Sequence, residues 1–142
     1  MALSHTVSLE SDRLCVNHHL AKLLCSEGAT AGGIVYEAMR YAVLGAAQRV
    51  RPILALRVAR LFDAPQDHTL CAAAAVELLH CASLIVDLPC MDDASFRRNR
   101  VAVHIRYGEA TAVLAAFGLV ALAARSLVEN SFVETYRSRL PE

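Results

Sequence analysis

Lysine is nearly absent from this chain. Lys22 stands alone among 14 basic residues in a sequence of 142. Basic chemistry therefore rests on arginine, which can grip a phosphate through two parallel hydrogen bonds but also serves on ordinary surfaces. Neither sign of charge is in excess: 14 basic residues meet 14 acids, for a formal net charge of zero. That removes the global attraction toward nucleic acid or anionic lipid, and no nucleic-acid partner is expected. The five cysteines, Cys15, Cys25, Cys71, Cys81 and Cys90, are odd in number and contain no CxxC pair. They read as reduced thiols of a cytoplasmic protein, most of them small core residues, and not as a zinc site. The opening MALSHTVSLESDR lacks a basic start followed by an apolar run, which argues against a secretory leader. The apolar run from Ala110 to Ala124 falls short of the roughly 20 residues that span a bilayer, so a buried helix is expected and no membrane span. Strand-like alternation, internal repeats and low-complexity linkers are lacking as well.

What is present is apolar material. Hydrophobic residues make up 56% of the chain and charged residues 20%, enough for a real core in one domain over 1–142 and too much for disorder. Nearly all of it reads as helix. Ser11 or Asp12 suits the cap of a first helix reaching about Ser26. "GATAGG" breaks the pattern, and a second helix follows from about Ile34 to Ala47. Pro52 fits the first turn of a third, ending near Phe62. A fourth runs from His68 to Val86, apolar on nearly every face and interrupted only by Glu77 and His80. A fifth covers roughly Glu109 to Glu129. The tail NSFVETYRSRLPE carries no strong pattern. The expected fold is an all-α helical bundle.

The chemistry gathers after the fourth helix, in DLPCMDDASFRR. Asp87, Asp92 and Asp93 stand at the mouth of an apolar helix, where carboxylates are costly unless paired or bound to a cation. Grouped carboxylates without nearby His or Cys favour a hard, oxygen-seeking ion such as Mg2+. Arg97 and Arg98 stand where they could hold a phosphate on that ion. The same spacing also fits a solvated helix terminus with local ion pairs. A second basic pair, Arg49 and Arg51, precedes Pro52 at a helix start, a place that attracts anions, though arginines are ordinary there too. His80 lies two turns before Asp87 on the same face. A lone histidine there also fits a satisfied core residue, with Glu77 as its neighbour or a second buried acid.

In order, these pieces resemble the N-terminal half of a trans-prenyl diphosphate synthase, and most of all the geranylgeranyl diphosphate synthases of bacterial carotenoid pathways. AMRYAVLGAAQRVRPIL is similar to the family's MRYSLLAGGKRLRPLL. ELLHCASLIVDLPCMDDASFRRNRVAVHIRYGEATAVLAA is similar to its long block around the first Asp-rich motif, and the likeness spans about Tyr36 to Ala124. The resemblance implies a partial isoprenoid synthase fold and a prenyltransferase that joins isopentenyl diphosphate to an allylic diphosphate. It implies Mg2+ at Asp87 and Asp92, with Asp93 in support. Arg97 becomes the allylic-diphosphate arginine. Arg98, Arg51 and His80, with Arg49 alongside, become contacts to isopentenyl diphosphate. Ala82 and Ser83 fall where the family floors its product pocket, and their small size implies a C20 product.

The departures matter equally. One aspartate of the family motif is deleted at VDL, so Asp87 and Asp92 are five residues apart and only Asp93 keeps the six-residue span. Pro89 interrupts the helix there. Gln48 replaces a phosphate-binding lysine, Asn99 a glycine and Val101 a proline. No aspartate follows Asp93, and the later acids Glu109, Glu129, Glu134 and Glu142 are unclustered. A second Asp-rich wall is missing, so the chain alone is expected to lack measurable activity. Its apolar helices imply a homo-oligomer, or a hetero-oligomer with a full-length synthase. Two readings stand beside the enzyme: a non-catalytic partner subunit of such a synthase, and a degraded gene product.

Overall fold

The computed structural model describes residues 8–25 and 33–128. Six α-helices appear among them: α1 (Leu9–Cys25), α2 (Gly33–Val43), α3 (Val50–Leu61), α4 (Gln66–Ala82), α5 (Val103–Tyr107) and α6 (Glu109–Val128). A 3-10 turn, Ser83–Asp87, extends α4, and a hairpin of two short strands, β1 (Phe96–Arg97) and β2 (Arg100–Val101), precedes α5. The all-α expectation holds for fold class. The reading of Ser26, most of GATAGG and the tail lies outside the described residues.

Helix α4 forms the centre. It packs most extensively on α6 and next on α3, while α2 lies on α6 and α1 bridges α3 and α4. Small side chains permit the close approach: Ala73, Ala74 and Ala75 of α4 and Ala112, Ala115 and Ala116 of α6 are all buried. Leu20, Leu24, Leu56, Leu78, Leu84 and Leu119 fill the space between helices. The stretches Gln66–Asp87 and Glu109–Val128 are each long and apolar enough to cross a membrane, unlike the shorter run read from sequence. Here they pack on each other as the bundle core. The outer face of α6 nonetheless leaves Leu114, Phe117, Val120 and Val128 exposed.

Several boundaries shift for tertiary reasons. Neither Ser11 nor Asp12 caps α1. Ser8 does, accepting the Ser11 N–H on its Oγ at 3.1 Å. Asp12 is buried instead, holding Arg57 at 3.0 Å and Arg60 at 2.6 Å on α3. Helix α2 stops four residues short of Ala47. Arg100 donates to the Tyr41 carbonyl at 2.8 Å and so satisfies one of the last-turn acceptors. Its guanidinium lies so close over Gly45 that a Cβ there would collide with Nη1. Helix α4 changes to 3-10 geometry at Ser83, and Leu88 is extended at φ −62°, ψ 153°, as the residue before Pro89 prefers. The hairpin contradicts the strand-free reading, but two residues per strand are too few to show alternation.

Candidate functional site

The site forms where the 3-10 turn, the hairpin and the start of α3 meet the end of α4. The hairpin pairs Phe96 with Val101 and Arg97 with Arg100. Its two linking residues, Arg98 and Asn99, are both left-handed, at φ 51° and 60°. Positive φ at both central positions defines the type I′ turn that suits a two-residue hairpin. Asn tolerates this conformation well, which accounts for Asn99 in place of glycine. Arg98 tolerates it less well, at a cost on the order of 1–3 kcal/mol. Arg49, the residue capping α3, is left-handed too, at φ 54°.

Glu77 underlies both strained arginines. Its carboxylate is buried, and Oε1 accepts from Arg49 Nη1 at 2.6 Å and from Arg98 Nη1 and Nη2 at 3.4 Å. The Cys81 thiol donates to the same oxygen at 3.8 Å. Burial, and then the Glu77 charge, pushes that thiol's pKa up and keeps it protonated. Glu77 is a buried acid, and its charge also reaches His80.

The expected site residues take different positions. Arg49 is not at the surface. It is 3% exposed, and its other donors go to Asn17 Oδ1 at 2.8 Å and the Val43 carbonyl at 2.6 Å. It therefore serves the fold and leaves no donor facing open solvent, a correction to its expected role alongside the substrate contacts. Arg51, two residues on, is exposed and donates to His80 Nε2 at 3.2 Å. A guanidinium has no acceptor, so the imidazole must accept through Nε2. Desolvation first, then the charges of Arg51 and Arg98, lower the His80 pKa and favour that neutral ring. Arg97 joins the group, held by Asp87 Oδ1 at 2.9 Å and by the Ser83 hydroxyl at 2.8 Å. Arg51, Arg97 and Arg98 thus each lie within electrostatic reach of His80, and Glu77 and Asp87 are buried beneath them.

The acids do not gather as expected. Asp87 is buried with Oδ1 on Arg97 and Oδ2 lacking a hydrogen bond. Asp92 and Asp93 are exposed on the turns beyond Pro89, where Asp93 is left-handed at φ 48°. Among the described residues no three metal-capable side chains converge. The unpartnered Asp87 oxygen would welcome a cation, but one buried carboxylate does not make a magnesium site, so these residues alone do not fit one.

Neither Ala82 nor Ser83, the expected product-pocket floor, lines the apolar groove of this structure. Ala82 is packed in the core, and Ser83 is spent on Arg97 and on the His80 carbonyl at 2.7 Å. The large apolar opening lies elsewhere, in a groove of about 790 Å³ between α3, α4 and the end of α6. Leu54, Val58, Ala72, Val76 and Leu127 line it, and Arg51 stands at its rim. Sequence reasoning did not find this groove, although the exposed Leu54 and Val58 lie one turn apart on α3.

Comparison with known proteins agrees with the resemblance. The polyprenyl synthetase family model matches residues 33–139. The chain belongs to the polyprenyl synthetase family. It is 41% identical over 107 residues to geranylgeranyl pyrophosphate synthase 10, mitochondrial, of Arabidopsis thaliana, covering 75% of this chain and 31% of that protein. It is 47% identical over 90 residues to the heterodimeric geranylgeranyl pyrophosphate synthase large subunit 2 of the same plant, covering 63% and 24%. The crystal structure of a geranyltransferase from Legionella pneumophila superimposes with a TM-score of 0.81 at 34% identity, covering 87% of this chain and 43% of that one. The chain therefore spans about a third or less of these curated relatives' length and under half of the solved structure.

Proposed function

We propose that the chain binds prenyl diphosphates and contributes one wall of a geranylgeranyl-type diphosphate synthase. The observation that carries this reading is the position of Arg51, where the basic surface meets the apolar groove. A diphosphate head would sit over Arg51, His80, Arg97 and Arg98, and an isoprenoid tail would lie along Leu54, Val58 and Val76. In the reaction, the allylic C–O bond breaks and its electrons leave with the diphosphate. The double bond of isopentenyl diphosphate attacks the allylic cation, a C–C bond forms, and the proton lost from the adjacent carbon passes to the departed diphosphate. Arginines aimed at the departing oxygens stabilise the charge that develops there. Neutral His80 orients Arg51 toward the second diphosphate.

Magnesium enters this proposal in a reduced role. Diphosphate oxygens would supply the ligands the chain lacks, with Asp92 and Asp93 adding carboxylates at the rim. The 142 residues hold no second acidic cluster, so turnover needs acids from another source. The exposed α6 face suits a full-length synthase, which would supply them. Five cysteines that form no disulfide with one another support a cytoplasmic setting. Relatives named as synthases favour this reading over the non-catalytic subunit.

The test is an assay of the purified chain with Mg2+, isopentenyl diphosphate and each allylic diphosphate, with and without a full-length synthase. Diphosphate binding without product from the chain alone is the expected result. Robust C20 product from the chain alone would overturn the need for a second wall. No binding of any diphosphate would overturn the reading itself.

A further inference from the structure

The basic surface is assembled from segments that do not touch in sequence. One is the junction before α3, which carries Arg49 and Arg51. The other is the hairpin turn, which carries Arg97 and Arg98. Each contains an arginine with a left-handed backbone, Arg49 at φ 54° and Arg98 at φ 51°. Both of those arginines reach the same atom, Oε1 of Glu77, itself 2% exposed on the central helix. Strained backbone persists only where its surroundings over-determine it. Here the surrounding that both segments share is one carboxylate.

The geometry points to Glu77 as a positioning residue for diphosphate binding, holding the α3 junction and the hairpin turn in the one arrangement that brings Arg51 and Arg98 to the same ligand. This rests on the reading of the basic surface as a diphosphate site. Glu77 lies beneath that surface and need not meet the ligand. Its charge makes the inference sharp. By charge alone, losing an anion from beneath a basic surface should tighten the binding of another anion. By positioning, the same loss should weaken it, because Arg98 would be free to leave its left-handed turn.

The experiment titrates inorganic diphosphate into the full chain by calorimetry at low salt. Glu77→Gln keeps the side-chain shape and removes the charge. About tenfold weaker binding is expected, with a cooperative melt retained. Glu77→Asp restores a carboxylate one methylene short, and about threefold weaker binding is expected. In an Arg98→Ala background, Glu77→Gln should change affinity less than twofold, because the group it positions is gone. Asp12→Asn, which loosens the other buried acid, should lower the melting temperature and leave affinity alone. Binding by folded Glu77→Gln equal to or tighter than wild type would overturn the inference and leave the diphosphate site standing. Should Glu77→Gln fail to fold, wild-type affinity in Glu77→Asp would overturn it equally. An unmodified chain that binds no diphosphate would sink the site and the inference together.

Discussion

Asp12 and Glu77 are both buried acids that hold two arginines, yet they do different work. The partners of Asp12, Arg57 and Arg60, sit three apart on one regular helix, with side chains 43% and 36% exposed. The partners of Glu77 come from two separate segments, both left-handed, and Arg49 is as buried as the acid itself. Asp12 fastens one helix to another with groups that water can still solvate. Glu77 gathers irregular backbone beneath an open basic surface. The same ion stoichiometry thus supports a staple in one place and a basic surface in the other, and the difference lies in the backbone beneath the arginines.

The largest effect should come from removing Glu77. Glu77→Ala leaves Arg49 buried and uncompensated, which should cost about 3–5 kcal/mol in urea unfolding. Asp12→Ala should cost less, about 1–3 kcal/mol, because it loses charged hydrogen bonds while the two released arginines turn outward into water. Equal losses in the two variants would erase the distinction between the two acids.

The groove gives a third contrast. Val76→Arg puts a charge among its apolar lining without touching either acid. An allylic diphosphate should then bind about as weakly as inorganic diphosphate, whose affinity should be unchanged. Competition calorimetry with the two ligands reads this directly, and equal losses for both would detach the groove from the basic surface.

The smallest effect concerns pH. Burial, and then the charges of Arg51 and Arg98, hold the His80 pKa down. The unfolded chain takes up this proton near pH 6.5, before the folded one does. The folded state therefore loses ground as pH falls through that value. His80→Gln should lessen the fall in melting temperature between pH 7 and 5.5. His19, lowered by burial and by Lys22 on α1, should behave in the same way at the staple end.

Much of the fold was legible because long apolar runs bounded by turn residues are local signals. The α4 and α6 stretches were visible in this way. Boundaries were not, where distant groups decide them. Arg100 closes α2 from nearly sixty residues away, and Asp12 is drawn from a cap into the interior by arginines on α3. The site was legible by residue type but not by partner. Arg49 and Arg51 differ by two positions and look alike in sequence, yet one is spent on Glu77 and the other faces outward. A left-handed φ at Arg49 separates them, and nothing in QRVRP announces it. The deleted aspartate and Pro89 were plain to see. Their effect was not: helical geometry ends at Asp87, so neither a five- nor a six-residue spacing describes where Asp92 and Asp93 stand.

The uncharged outer face of α6, with Phe117 and Val128 bare, implies that ionic strength acts on the two sides of this molecule in opposite senses. Sulfate or phosphate at high concentration strengthens apolar association. The same salts screen an arginine surface and, being anions, compete for it. A buffer chosen to keep the chain dispersed should therefore be one in which its basic side is most receptive, and a buffer that drives assembly should blunt recognition. Sedimentation and ligand titration along one salt series should move in opposite directions.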